Sequence, residues 1–275
     1  MDHPDSPLGK TTSYDLPYDP GLLFPIARAE SRARIGLEQT LPFSGWDLWN
    51  AWELSWLDPH GKPRIAWGQF VVPADSPNLI ESKSLKLYLN SLNQTRFADL
   101  TVVAELIAAD LTACAGAEVE VALYEPDEWP QVVSQPAGYC LDDLPVAIDR
   151  YEPAPELLRA DDTRLVHEQL FSRLLRSRCP VTGQPDWGTV EIDYEGPALD
   201  RAGLLAYLVS YRLHQDFHEQ CVERIFLELL RHCRPARLTV HARYLRRGGL
   251  DINPWRSNAP SAATAPLPRG RLFRQ

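Results

Sequence analysis

The chain has 275 residues, 44% hydrophobic and 24% charged, an ordinary composition with enough apolar material for one large core or two smaller ones. Its formal charge of −9 and pI near 5.3 argue against a broad basic surface tracking a phosphate backbone, so direct nucleic-acid binding is not expected. Cys114, Cys140, Cys179, Cys221 and Cys233 are odd in number with no CxxC pair, no apolar run is long enough for a membrane helix, and Met1-Asp-His-Pro-Asp lacks a signal peptide's basic start; the expected location is the cytoplasm.

Residues 1–42 are rich in proline and charge without steady periodicity and read as an arm that wraps a first domain, residues 43–130. Gly45 to Leu57 and Ile65 to Val72 are rich in aromatic and β-branched residues, and Asp58-Pro-His-Gly61 between them is a turn, which predicts an antiparallel hairpin. The period then changes: Leu85, Leu89 and Leu92 fall at helical intervals, as do Leu100, Val103, Ile107 and Leu111. Glu118 to Tyr124 alternates as a strand. Residues 131–161, with many prolines and acids, read as a linker, 162–257 as a second domain and 258–275 as a Ser/Ala/Pro-rich tail.

The second domain repeats the order of the first. Trp67-Gly68 recurs as Trp187-Gly188, Phe97 as Phe217, Ala122 as Ala242 and Tyr124 as Tyr244, each 120 residues later, while Ser91 and Ser210 differ by 119. The copies differ in their polar residues. The first opens its first helix with Glu81-Ser82-Lys83 where the second has Asp200-Arg201-Ala202; the second opens its second helix with Phe217-His218-Glu219 where the first has Phe97-Ala98-Asp99. Since neither copy holds the full set, one composite pocket between them is expected.

Within the second copy, Arg178-Cys-Pro-Val-Thr-Gly-Gln-Pro-Asp-Trp-Gly188 reads as a tight loop entering a strand, with Cys179 and Asp186 on one rigid support. Most free cysteines are small buried hydrophobes. A cysteine becomes a nucleophile only as thiolate, and a reaction that builds charge on the attacked group needs an acid nearby; Arg178, Asp186 and His218 are the candidates to serve it.

Four stretches then carry a resemblance: Glu81-Ser-Lys-Ser-Leu-Lys-Leu-Tyr88, Cys179-Pro-Val-Thr-Gly-Gln-Pro-Asp-Trp187, Asp216-Phe-His-Glu-Gln-Cys221 and Arg246-Arg-Gly-Gly-Leu-Asp-Ile252. In that order they resemble the NADPH-dependent 7-cyano-7-deazaguanine reductases, the nitrile reductases of queuosine biosynthesis, in their two-module form. The resemblance implies an α+β protein of tandem tunnelling-fold (T-fold) modules, antiparallel sheets with paired helices on one face, and a homodimer. It implies Cys179 as the nucleophile that forms a thioimidate with the nitrile, Asp186 as the proton donor and His218 as a further catalytic group. Substrate would be held by Ile80, Glu81, Ser82, Phe217, His218 and Glu219, and NADPH by Ser82, Lys83, Arg247 and Gly248, with no metal.

The residue types suit that chemistry. Thiolate addition splits a difficult hydride transfer to a nitrile into easier steps, provided Asp186 is protonated when it acts. A carboxylate such as Glu219, with Glu81 as a second acceptor, can take two N–H donors of a deazaguanine edge, and Phe217 can wall the ring. No GxGxxG follows a strand, so a Rossmann site is not expected; Lys83, Lys86, Arg246 and Arg247 are the candidates for the phosphates, with Gly248-Gly249 allowing close backbone approach. Each has a plainer reading: lysines on a helix usually make a solvated face, and a glutamate at a helix start favours the macrodipole. The rival functions are a zinc-dependent cyclohydrolase with Cys179, His218 and Cys221 as ligands, a cofactor-free nitrile hydrolase and a non-catalytic purine-binding module. Cys221, in the same turn as His218, is also a candidate for a reversible disulfide with Cys179.

Overall fold

The computed structural model describes residues 17–37, 40–128, 133–260, 267–268 and 270–275. Backbone contacts divide the chain into two units, residues 1–39, 46–131 and 246–252 in the first and 40–45, 132–245 and 253–275 in the second. The Arg246-to-Ile252 stretch, remote in sequence, thus clusters with the first unit.

In the first unit, the part of the arm that is described is more ordered than the sequence suggests. It carries β1 (Pro25–Ala27) and α1 (Arg28–Arg34). Hydrophobic periodicity gives no sign of α1 because the side chains it buries are Arg28, Ser31 and Arg32. Arg28 pairs with the buried Asp47 carboxylate at 2.6 Å, so the charge is neutralised where water is excluded. The hairpin follows as β2 (Ser44–Leu57) and β3 (Pro63–Pro73). Its turn is set by the Asp58 carboxylate, which accepts from the amides of His60 and Lys62 at 2.8 and 3.0 Å, and by Gly61 at φ 87°. After β4 (Asn78–Ile80), which pairs with β1, come α2 (Ser82–Ser91), α3 (Leu100–Ala115) and β5 (Glu120–Tyr124) antiparallel to β3. Leu85, Tyr88 and Leu89 of α2 and Val103, Ile107 and Leu111 of α3 pack with Trp49, Leu54 and Phe70 in one core. Each fully buried aliphatic chain there contributes about 2 kcal/mol.

In the second unit, β6 (Tyr139–Cys140) runs parallel to β7 (Ala160–Arg178), which forms a long hairpin with β8 (Pro185–Leu199). Helices α4 (Arg201–Ser210) and α5 (His218–Cys233) precede β9 (Arg237–Tyr244), which lies antiparallel on β8. β10 (Leu250–Ser257) brings Trp255 opposite His241 of β9. The parallel β6 makes this sheet mixed rather than wholly antiparallel. It lies, with the start of β7, in the stretch that reads as linker from its prolines and acids.

The duplication is visible in hydrogen bonds as well as in element order. β2-β3-α2-α3-β5 and β7-β8-α4-α5-β9 share strand neighbours, β5-β3-β2 and β9-β8-β7. Ser91 donates to Tyr88 O at 2.6 Å and accepts from the Asp19 amide; Ser210 donates to Tyr207 O at 2.6 Å and accepts from the Ala154 amide. Each of those amides precedes a short 3-10 turn, Pro20–Leu22 or Pro155–Leu157. A bulge interrupts both hairpins, between Ala51 and Leu54 and between Ser172 and Leu175. The constant offset of 120 does not survive, however. Gly68 lies opposite Ala51, before the bulge, whereas Gly188 lies opposite Leu175, after it, so the shared Trp-Gly pair is not at equivalent ladder positions.

Candidate functional site

Cys179 sits at the tip of the β7–β8 hairpin. Its amide donates to Gln184 O at 2.9 Å and its carbonyl accepts from the Gly183 amide at 3.0 Å; Gly183, at φ 67°, makes that return possible. The residue before it is pinned from the other side. Arg178 N–H donates to His214 O at 2.8 Å, and Arg178 O accepts from the Asp216 amide at 3.2 Å. Backbone bonds thus fix the cysteine between the hairpin and the segment that leads into α5, with its side chain largely buried.

Asp186 is the second residue of β8, opposite Ser177, and is 3% exposed. His218 opens α5 and places Nε2 3.5 Å from Asp186 Oδ2, while its ring lies against that of Tyr244 with centroids 4.0 Å apart. The Ser177 and Tyr244 hydroxyls neighbour the Cys221 thiol, and neither oxygen has a hydrogen-bond partner among the described residues. Burial pushes both the Cys221 thiol and the Tyr244 phenol well above their ordinary ranges, so both are neutral at physiological pH. No group of three His, Cys, Asp or Glu side chains converges among the described residues. Cys179 and Cys221 are both free thiols. Phe217 is the N-cap of α5, and its amide is met by Asp216 Oδ1 at 3.1 Å; Glu219 is buried in the first turn. Ser177 and Tyr244 adjoin these residues without belonging to any of the four motifs, because each looks like an ordinary inward strand position.

The remaining predicted residues lie in the first unit. Glu81 is the N-cap of α2, its carboxylate accepting from the Lys83 and Ser84 amides at 2.7 and 2.8 Å. Both oxygens are thus engaged by the helix, and any further donor must use their second lone pairs. Burial raises the Glu81 pKa, opposed by those two amides, by the Lys86 charge and by Ser82. The Ile80 side chain belongs to the core, so only its backbone is available to a ligand. Lys83 and Lys86, one turn apart on α2, line a cavity of about 610 Å³ together with Glu53, Asn90, Asn93, Gln94, Gly248 and Gly249. Gly248 and Gly249 adopt φ 57° and 78°, and a Cβ on Gly248 would come within 3.1–3.2 Å of the Lys86 side chain. Arg247 closes this turn by exchanging backbone bonds with Leu250, whereas Arg246 is engaged over the Trp52 ring at 5.6 Å. Two lysines, a left-handed glycine pair and amide side chains in a cavity of this size fit the phosphates and ribose hydroxyls of a dinucleotide. Glu53, Asn90, Asn93 and Gln94 carry no motif, and the tertiary structure alone brings them to this cavity.

Residues 14–123 match the family model described as nitrile reductase, 7-cyano-7-deazaguanine-reductase N-term, and residues 185–263 match one described as QueF-like protein. The NADPH-dependent 7-cyano-7-deazaguanine reductase of Bordetella avium is 57% identical over 96% of this chain and 97% of its own. The protein of the same name from Chromobacterium violaceum is 57% identical over 94% of each chain, and that of Bordetella parapertussis 53% over 97% and 98%. A crystal structure of the archaeosine synthase QueF-Like in the apo form aligns with 34% of this chain at 19% identity and a TM-score of 0.30, a likeness too slight to bear on the fold. With two family models along its length and relatives this similar end to end, the chain belongs to the NADPH-dependent 7-cyano-7-deazaguanine reductase family.

Proposed function

We propose that this chain reduces the nitrile of 7-cyano-7-deazaguanine to the aminomethyl group with NADPH, a step of queuosine biosynthesis. The observation that carries the reading is the hairpin tip, where two backbone hydrogen bonds of Cys179 and two of Arg178 fix the cysteine on the strand pair that also presents Asp186 to His218. The Cys179 thiolate adds to the nitrile carbon while Asp186 gives its proton to the nitrogen, so a C–S bond forms as one C–N π bond breaks. Bound NADPH would supply the two hydrides the reduction needs, and between them the C–S bond breaks as the Cys179 thiolate departs. His218, with Nε2 3.5 Å from Asp186 and its ring tilted against Tyr244, is suited to return the proton of the carboxyl between the two reductions. Glu219 is the acceptor for the N–H edge of the base, and Phe217 and Glu81-Ser82 complete its recognition. Lys83, Lys86 and the Arg247-Gly248 turn hold the cofactor's phosphates.

The repeated hairpin, helix pair and strand support tandem tunnelling-fold modules, and on this reading the working assembly is a cytoplasmic homodimer. No helix among the described residues is long and apolar enough to cross a membrane. Mixing protein, NADPH and 7-cyano-7-deazaguanine and following cofactor absorbance tests the reaction. Two equivalents of NADPH should be consumed per nitrile, and without NADPH intact-protein mass should rise by the substrate mass, an adduct absent in Cys179→Ala. Cofactor oxidation that persists in Cys179→Ala would overturn the reading. The disulfide between Cys179 and Cys221 is a further part of the proposal, read by peptide mass mapping after mild oxidation; finding both thiols oxidised but unlinked removes it.

A further inference from the structure

Four arginines of the second unit gather at one place on the outer face of the β7–β8 hairpin. Arg176 lies opposite Trp187 across the strands, and the guanidiniums of Arg176, Arg212 and Arg274 lie 5.4, 5.5 and 5.7 Å from its ring. Arg178 is near enough to act on Arg176, whose pKa is lowered by burial and by the Arg212 and Arg178 charges. All four side chains are half-buried and reachable from solvent.

Among the described residues these charges have no carboxylate counter-ion. Arg28, Arg64, Arg150, Arg201, Arg234, Arg237 and Arg256 each pair with a carboxylate, but among the described residues none of Arg176, Arg178, Arg212 and Arg274 does. Arg176 donates to Arg212 O at 2.9 Å and Arg274 to Arg173 O at 3.0 Å, so neutral carbonyls hold two of the forks in place. The buried Nε atoms of Arg176 and Arg178 have no acceptor among the described residues. In a chain of net charge −9, leaving a cluster of cations with unspent donors beside one another is costly unless an anion from outside completes it.

We propose that this arginine cluster around Trp187 is an anion site that takes a tetrahedral phosphate group. Planar guanidinium forks match phosphate oxygens in pairs, and several converging forks favour a multiply charged, compact oxyanion over chloride. The group comes either from free phosphate or from a nucleotide's phosphate.

Calorimetric titrations of the full-length protein at constant ionic strength, with inorganic phosphate in one arm and adenosine 2′,5′-bisphosphate in the other, test the site. Constant ionic strength removes general screening as a cause. The expected result is saturable binding of one probe or both, weakened about tenfold in Arg212→Gln and in Arg176→Gln and unchanged in Arg150→Gln, which removes an arginine charge elsewhere. The probe whose binding is lost identifies the source. Affinities equal in wild type and both cluster variants would overturn the proposal. So would a change in the molar mass of the assembly in Arg212→Gln, since the cluster would then be answering carboxylates of a second copy. Because Arg176 anchors to a carbonyl, Arg176→Lys serves as the folded control: it keeps the charge, loses the fork and should fall between wild type and Arg176→Gln.

Discussion

The two hairpin turns are the same device used for different ends. In the first unit Leu57 N–H donates to Thr95 O and Leu57 O accepts from Phe97, both at 2.9 Å; in the second Arg178 makes the same pair of bonds with His214 and Asp216. Each strand end is thereby stitched to the segment between its unit's two helices. The next residue is Asp58 in one case and Cys179 in the other. Asp58 spends its carboxylate on its own turn, where the amides of Lys62 and His60 lower its pKa. Cys179 is held by backbone alone, which leaves its side chain for chemistry. A scaffold that fixes a strand end twice over thus carries the cysteine proposed as nucleophile in one copy and a plain turn in the other.

The largest contrast should come from this pair. Cys179→Ala should lower turnover by roughly a thousandfold or more in a cofactor-oxidation assay, whereas Asp58→Ala should keep wild-type turnover and lose only a little thermal stability. Equal losses from the two would show that the turns act only as structure. Asp186→Asn should come next, with kcat down about 10²–10⁴-fold at unchanged fold by circular dichroism, since the amide keeps the shape but has no proton to give.

A second contrast lies at the helix caps. Glu81 caps α2 with both oxygens from a buried position, whereas Asp200 caps α4 with a single bond to the Ala202 amide at 3.1 Å from the surface. Glu81→Ala should cost about 1–2 kcal/mol in urea denaturation and Asp200→Ala about 0.5 kcal/mol. Because burial raises the Glu81 pKa, the folded state favours its protonated form. That contribution is complete below the unfolded glutamate pKa and is lost as pH rises through the folded one, so the penalty for Glu81→Gln should shrink as pH rises through this window.

The smallest effect is expected at the third strand. Ladder positions equate Ala122, opposite Gln69, with His241, opposite Glu191. Burial and the Arg243 charge depress the His241 pKa to about 3. Its neutral form therefore stabilises the fold above the ordinary histidine pKa, and that stability is lost as pH falls toward 3. His241→Ala, which writes the first copy's residue into the second, should flatten this acid limb in melting curves recorded by pH.

Local signals made much of this legible. The leucine spacing of α2 and α3, the alternation of β5 and β9 and the Asp58-to-Gly61 turn all reside in neighbouring residues, and the hairpins, helices and strands they imply are present. The loop around Cys179 was equally readable, because Pro180, Gly183 and Pro185 restrict the backbone whatever surrounds them. α1 was not legible, since its buried side chains are arginines whose partner Asp47 is supplied by a distant strand. The register of the repeat was misread for a related reason. The bulge falls at matching places in the two hairpins, but the second turn is one residue longer, 179–184 against 58–62, and that insertion contributes to displacing the shared Trp-Gly.

The amino-acid sequence by itself determined the element types, the duplication and the family, because periodicity, turn chemistry and four ordered motifs are properties of the chain read along its length. Only the tertiary structure decided that Asp186 meets His218 over Tyr244, that Lys83 and Lys86 share a cavity with Gly248, and that Arg176, Arg212 and Arg274 surround Trp187 without pairing to a carboxylate among the described residues. Such meetings join residues far apart in the chain, and their geometry is set by strand register and helix docking, which depend on packing free energy summed over the whole fold.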